Sequence, residues 1–147
     1  LNTGLYEKFL DKLDFRGIYR DFYYHYLIKS MRIYLIVLHT EKIYNKEYPK
    51  EHFEKMITGI EIVDFIDAPI VQIYYNLVKM LVDKNNEKYY FKVKELLNNN
   101  SGNINHDDLS EIYINMQNFC RRRIAEGKQH FQREEFEIST RQLESKT

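Results

Sequence analysis

Arg121, Arg122 and Arg123 stand side by side, with Lys128, His130 and Arg133 close behind, and form the strongest local charge feature of the chain. Guanidinium groups take carboxylate or phosphate oxygens through paired N–H donors, so such a cluster can hold a phosphate or an acidic partner segment. Successive helical residues point about 100° apart, however, and three adjacent arginines therefore splay around a helix instead of converging. Glu126, Glu134 and Glu135 are close enough to neutralise them. The expectation is a solvated, ion-paired face. Among functional readings of Arg121, Arg122, Arg123 and Arg133, acidic-peptide binding comes ahead of RNA, and a regulatory or nucleic-acid-associated domain is the alternative to a scaffold.

Cys120 is the one cysteine. The arginines after it would lower a thiol pKa, but at helical spacing it shares a face with Met116 and Ile124, which points to a buried structural thiol. It can form no internal disulfide, and that fits a reducing, cytoplasmic setting. The five histidines offer no His-x-x-x-His, His-Glu-x-x-His or Glu-x-x-His spacing, so no helix presents the paired ligands of helical zinc or di-iron sites. Asp21 with His25, and Glu126 with His130, read as surface pairs, and His106-Asp107-Asp108 as a helix cap. The five glycines stand singly, which excludes phosphate-binding loops and nucleophile elbows. No catalytic residue, metal or cofactor is expected, and a helical-bundle enzyme is the weakest alternative.

Tyrosine is abundant, with 13 residues beside 9 phenylalanines. Tyr23, Tyr24, Tyr26, Tyr75, Tyr89 and Tyr90 exceed what single helix faces can bury, since neighbours such as Tyr23 and Tyr24 cannot both point inward. A tyrosine that reaches solvent offers large contact area and a polar tip, which suits protein interfaces. Tyr23, Tyr24, Tyr75 and Tyr89 therefore join the arginines as the candidate interaction surface.

The elements that must position these residues are all helical, because apolar residues recur at helical spacing throughout while Gly and Pro are scarce. Seven helices are predicted. A short one at about 4–14 is interrupted by Gly17, and a long one at about 18–46 has Phe22, Leu27, Met31, Tyr34, Leu35 and Leu38 on its apolar face. Pro49 starts the next, which runs to about 66 through Gly59, and Asp67 caps a Pro69-led helix over 69–83. Helices over 87–98, 107–126 and 128–145 follow, with Gly127 as the stop between the last two. Lys plus Arg and Asp plus Glu are both 22, so no net field favours nucleic acid or an anionic membrane. The longest strongly apolar run, "IYLIVL" at 33–38, is far too short to cross a bilayer. One domain is expected, and the start at Leu1 suggests a piece of a longer chain.

An aromatic-Phe pair recurs at Phe53, Phe91 and Phe131, spaced 38 and 40, and an Ile-Tyr pair at Tyr34, Tyr74 and Tyr113, spaced 40 and 39. Each unit then reads as two helices with one aromatic anchor on each, in pairs at 18–66, 67–100 and 101–147 after a leading segment 1–17. Such units share a core only when stacked. On "PIVQIYYNLVKML" at 69–81 and "SEIYINMQNFCRRRIAEG" at 110–127, the chain resembles the tetratricopeptide-like α-hairpin repeats, and segments of large bacterial repeat proteins. The resemblance implies a right-handed superhelix of antiparallel pairs and a non-catalytic scaffold for protein partners. With only Ala68 and Ala125 as small helix-contact residues, the helices are expected to sit further apart than in the usual ~34-residue repeat. The aromatic-rich N-terminal stretch, Tyr6, Phe9 and Tyr19 to Tyr26, predicts self-association there or a first helix folded back as a cap.

Overall fold

The computed structural model describes residues 15–60, 65, 67–83 and 86–145, with side chains from Ile18 onward. These residues form six α-helices and no strand: α1 (Phe15–Tyr44), α2 (Glu51–Gly59), α3 (Pro69–Val82), α4 (Lys88–Asn100), α5 (His106–Ala125) and α6 (Phe131–Ser145). A 3-10 turn, Ser101–Asn103, links α4 to α5. The protein is all-α in this sense. The helix predicted at 4–14 lies outside the described residues. Gly17 does not delay the long helix, which is already formed at Phe15 and ends where Asn45 takes a left-handed backbone at φ 49°.

The ends of the other helices follow local chemistry. Glu51 and Glu54 occupy the first turn of α2, where they complement the positive end of the helix, but Pro49 lies ahead of that turn and not in it. Gly59 ends α2, where a longer helix through it was predicted; Ile60 follows in extended backbone. Pro69 opens α3 as expected. Asp67 does not cap it, and instead accepts from Arg20 and Tyr24 of α1. Asn105 caps α5, its side chain accepting the Asp108 N–H at 2.9 Å. Gly127, at φ 92°, lets the Gly127 and Lys128 N–H groups turn back onto the Ile124 and Arg123 carbonyls.

α3 sits at the centre. Nine of its fourteen residues are buried, among them Val71, Ile73, Tyr74, Leu77 and Met80, so it is covered on nearly every side. Burying one such aliphatic side chain contributes ~1.5–3 kcal/mol, and α3 thereby anchors the domain. It packs against α4, α1 and α5, while α5 and α6 form the most extensive helix pair and α2 touches α1 only lightly. Polar side chains fix the arrangement. The single Tyr74 O–H donates to Asp108 at 2.8 Å with Glu111 as a second acceptor in reach at 3.1 Å, and Arg32 donates to Glu111 at 2.9 Å, tying α1, α3 and α5 together.

The recurrence is only partly realised. Tyr34, Tyr74 and Tyr113 are all buried, but Ile33 is exposed where Ile73 and Ile112 are fully enclosed. Phe131 is fully buried and Phe53 partly so, whereas Phe91 is 42% exposed and Tyr90 beside it is the buried ring. Phe91 is thus a rim residue, because the inner face of α4 runs through Tyr90, Val93, Leu96 and Leu97. Phe22 is another correction. It stands 72% exposed on the side of α1 opposite Leu27 and Met31.

Candidate functional site

The four candidate arginines separate into two pairs. Arg121 and Arg133 behave as surface residues, each near an α6 glutamate: Arg121 Nε lies 3.4 Å from Glu135 and Arg133 Nε 3.6 Å from Glu137. Arg122 and Arg123 turn inward, contrary to the expectation of a solvated face. Arg123 is 94% buried, its guanidinium stacked 5.1 Å from the Phe119 ring centre and donating through Nη1 to Glu126 at 3.1 Å. Arg122 is half-buried. Burial pulls its guanidinium below the ordinary range, Glu126 opposes that, and the neighbouring Arg123 charge adds to it.

These two arginines line a recess of about 90 Å³ together with Lys42, Met80, Phe119 and Glu126. The recess lies where the C-terminal turns of α1 and α5 meet the last turn of α3. Nη2 of Arg122 and Nη2 of Arg123 are each shielded from solvent and have no hydrogen-bond acceptor among the described residues. Lys42 carried no signal in the sequence, since it belongs to a different helix some eighty residues away.

The tyrosines do not gather into one surface. Tyr23 is exposed, parallel to Tyr19 at 6.4 Å between ring centres, and Tyr24 tucks its ring edge against Phe65 while its hydroxyl donates to Asp67. Tyr75 and Tyr89 lie half-buried on α3 and α4, where burial pushes the Tyr75 phenol up and the Lys79 and Lys88 ammonium groups cover the Tyr89 ring. Tyr90 is fully enclosed beside Cys120 and donates to Glu134 at 2.9 Å. Cys120 is buried, as its spacing predicts, and burial pushes the thiol up to about 11, far from the thiolate a nucleophile needs.

Apolar residues that sequence reasoning passed over form the larger exposed feature. Ile18, Phe22, Ile33, Ile36 and Ile43 are all exposed on α1, and at about 100° per residue they fall on a single side. Leu27, Met31, Tyr34, Leu35 and Leu38 occupy the opposite, inward side. Next to this outer side, Ile36, Ile43 and Ile114 line an open groove between α1 and α5. His39 Nε2 donates to Asn115 Oδ1 there at 2.8 Å, bringing α1 and α5 into direct contact.

Among the described residues, no group of three or more His, Cys, Asp or Glu side chains is placed to hold a metal ion, and no helix is long and apolar enough to cross a membrane. Comparison with protein-family models, with curated proteins and with solved structures found no significant match.

Proposed function

We propose that the chain is a non-catalytic helical scaffold that docks protein through the outer side of α1. The observation that carries this reading is the outer side of α1: one apolar side is spent on the core, and five large apolar residues stand exposed on the other, with His25 and Lys29 between them. A surface helix of a globular protein ordinarily has a polar outer side, and exposed apolar patches in water mark an interaction site. Ile18 with Phe22 and Ile33 with Ile36 and Ile43 form two apolar patches along a helix of 30 residues that reaches ~45 Å. Their helical spacing suits a second amphipathic helix laid along them. α1 of a second copy is the occupant we assign, which agrees with the aromatic wealth of the N-terminal stretch.

The tetratricopeptide-like reading draws support from α3/α4 and α5/α6 packing as pairs, and from α3 lying against both α1 and α5. The Arg32–Glu111 and His39–Asn115 contacts join α1 to α5 across α3 through side chains. A buried free thiol suits a cytoplasmic location.

Sedimentation over a range of concentrations tests the docking face. The parent should associate as concentration rises, while Ile33→Asp/Ile36→Asp stays monomeric with unchanged thermal stability. A parent that remains monomeric throughout and binds no apolar-surface dye overturns the reading.

A further inference from the structure

We propose that the recess between Arg122, Arg123 and Lys42 is a binding site for a small tetrahedral oxyanion of the phosphate type, independent of the α1 docking face. Three cationic side chains and one carboxylate, Glu126, line it, so its net charge favours an anion. Met80 and Phe119 form its apolar lining and are both buried, and a charged hydrogen bond gains strength in such surroundings. Arg123 is 94% buried with Nη2 lacking an acceptor among the described residues, and the adjacent Arg122 Nη2 is in the same condition. Buried donors of this kind favour an acceptor, because a donor left without one costs its full desolvation. An oxyanion in the recess would accept from both.

The ordinary role for arginines in a last helical turn is to complement the terminal carbonyls. That role is already filled here. The Arg122, Arg123 and Ile124 carbonyls accept from the backbone N–H groups of Glu126, Lys128 and Gly127 at 2.9 to 3.0 Å, so the arginine side chains are not needed for it. Glu126 satisfies only Nη1 of Arg123. Size narrows the ligand. One water needs ~10–15 Å³ of such space, so about 90 Å³ leaves room for a group the size of phosphate.

Titration of the 147-residue chain with inorganic phosphate at constant ionic strength, followed by calorimetry and by thermal stability against chloride, tests the site. Saturable binding of one phosphate per chain, with a raised unfolding temperature, is expected. Arg122→Gln and Lys42→Gln, whose parents are not fully buried and which should fold, are each expected to weaken binding about tenfold or more. Arg121→Gln and Arg133→Gln should leave it within about twofold. Phosphoserine separates the sources: equal binding means that a phosphoryl group carried by another molecule can enter, and exclusion means that the site takes the free ion. Non-saturable binding, or a loss caused by Arg121→Gln and Arg133→Gln but not by Arg122→Gln, overturns the proposal in favour of a diffuse surface field or of ordinary water in the recess.

Discussion

Around Phe131, rings from three helices pack edge to face and face to face: Tyr90 and Phe119 lie 5.5 and 5.7 Å from it, with Phe91 at 6.1 Å on the rim. On α1, by contrast, Tyr19, Phe22 and Tyr44 are each at least 70% exposed. The residue types are the same in both regions. What differs is how many helices converge: α4, α5 and α6 enclose the first group, while only one side of α1 meets α3 and its neighbours. A ring is stabilising in proportion to the apolar area it removes from water, so equal composition gives unequal energies. The polar tips differ too, since the enclosed Tyr90 hydroxyl is satisfied by Glu134.

The largest expected contrast comes from truncating one ring in each region. Phe131→Ala removes a fully buried ring from the cluster and should cost ~3–5 kcal/mol. Phe22→Ala on the outer side of α1 should fall within about 0.5 kcal/mol of the parent. Urea unfolding of the three proteins at a concentration where all are monomeric measures the difference. Similar losses would mean that the outer side of α1 is packed and not a docking face.

A smaller effect should follow from removing a single hydroxyl. Tyr90→Phe deletes a hydrogen bond to a carboxylate in a nearly dry setting and should cost about 1.5 kcal/mol. Glu134 keeps its bonds from Lys94 at 2.8 and 3.0 Å and so is not left unpaired, which holds the loss near that value. Tyr44→Phe, on the exposed end of α1, should leave the denaturation midpoint unchanged. A neutral Tyr90→Phe would show that water serves Tyr90 as well as Glu134 does.

The all-helical class was readable because apolar spacing, the Pro69 start and the Gly127 stop act locally, within one or two turns. Which side of a helix faces inward is not local when both sides are apolar. Phe22 was assigned to the core for that reason, although it lies across the helix from Leu27 and Met31. Phe91 was misplaced similarly: an adjacent Tyr-Phe pair must put one ring outward, and spacing to Phe53 and Phe131 does not say which. In the arginine cluster, the surface roles of Arg121 and Arg133 follow from neighbouring glutamates. The inward turn of Arg122 and Arg123 depends on Met80 and Lys42 arriving from α3 and α1, contacts that no run of sequence encodes.

The smallest expected effect concerns charge at the two regions. Lys94 donates to Glu137 at 2.9 Å as well as to Glu134. The hydrogen bond from Lys94, followed by that cation's charge, holds the Glu137 carboxyl below the usual carboxylate range. A folded-state pKa below the unfolded value of ~4.3 contributes stability that is present above that pH and is lost as pH falls through the folded value. Glu137 is about a third exposed, which screens the interaction, so Glu137→Gln should cost only a few tenths of a kcal/mol at neutral pH. The difference from the parent should shrink toward zero as pH drops below ~4, and shrink also in ~1 M salt. Arg20 and Asp67, an ion pair more than half exposed at both members, provide the counterpart on α1, and Arg20→Gln should change stability by nothing measurable. If Glu137→Gln costs the same at acid and neutral pH, the loss comes from packing of the α6 side chain and the electrostatic contrast between the two regions disappears.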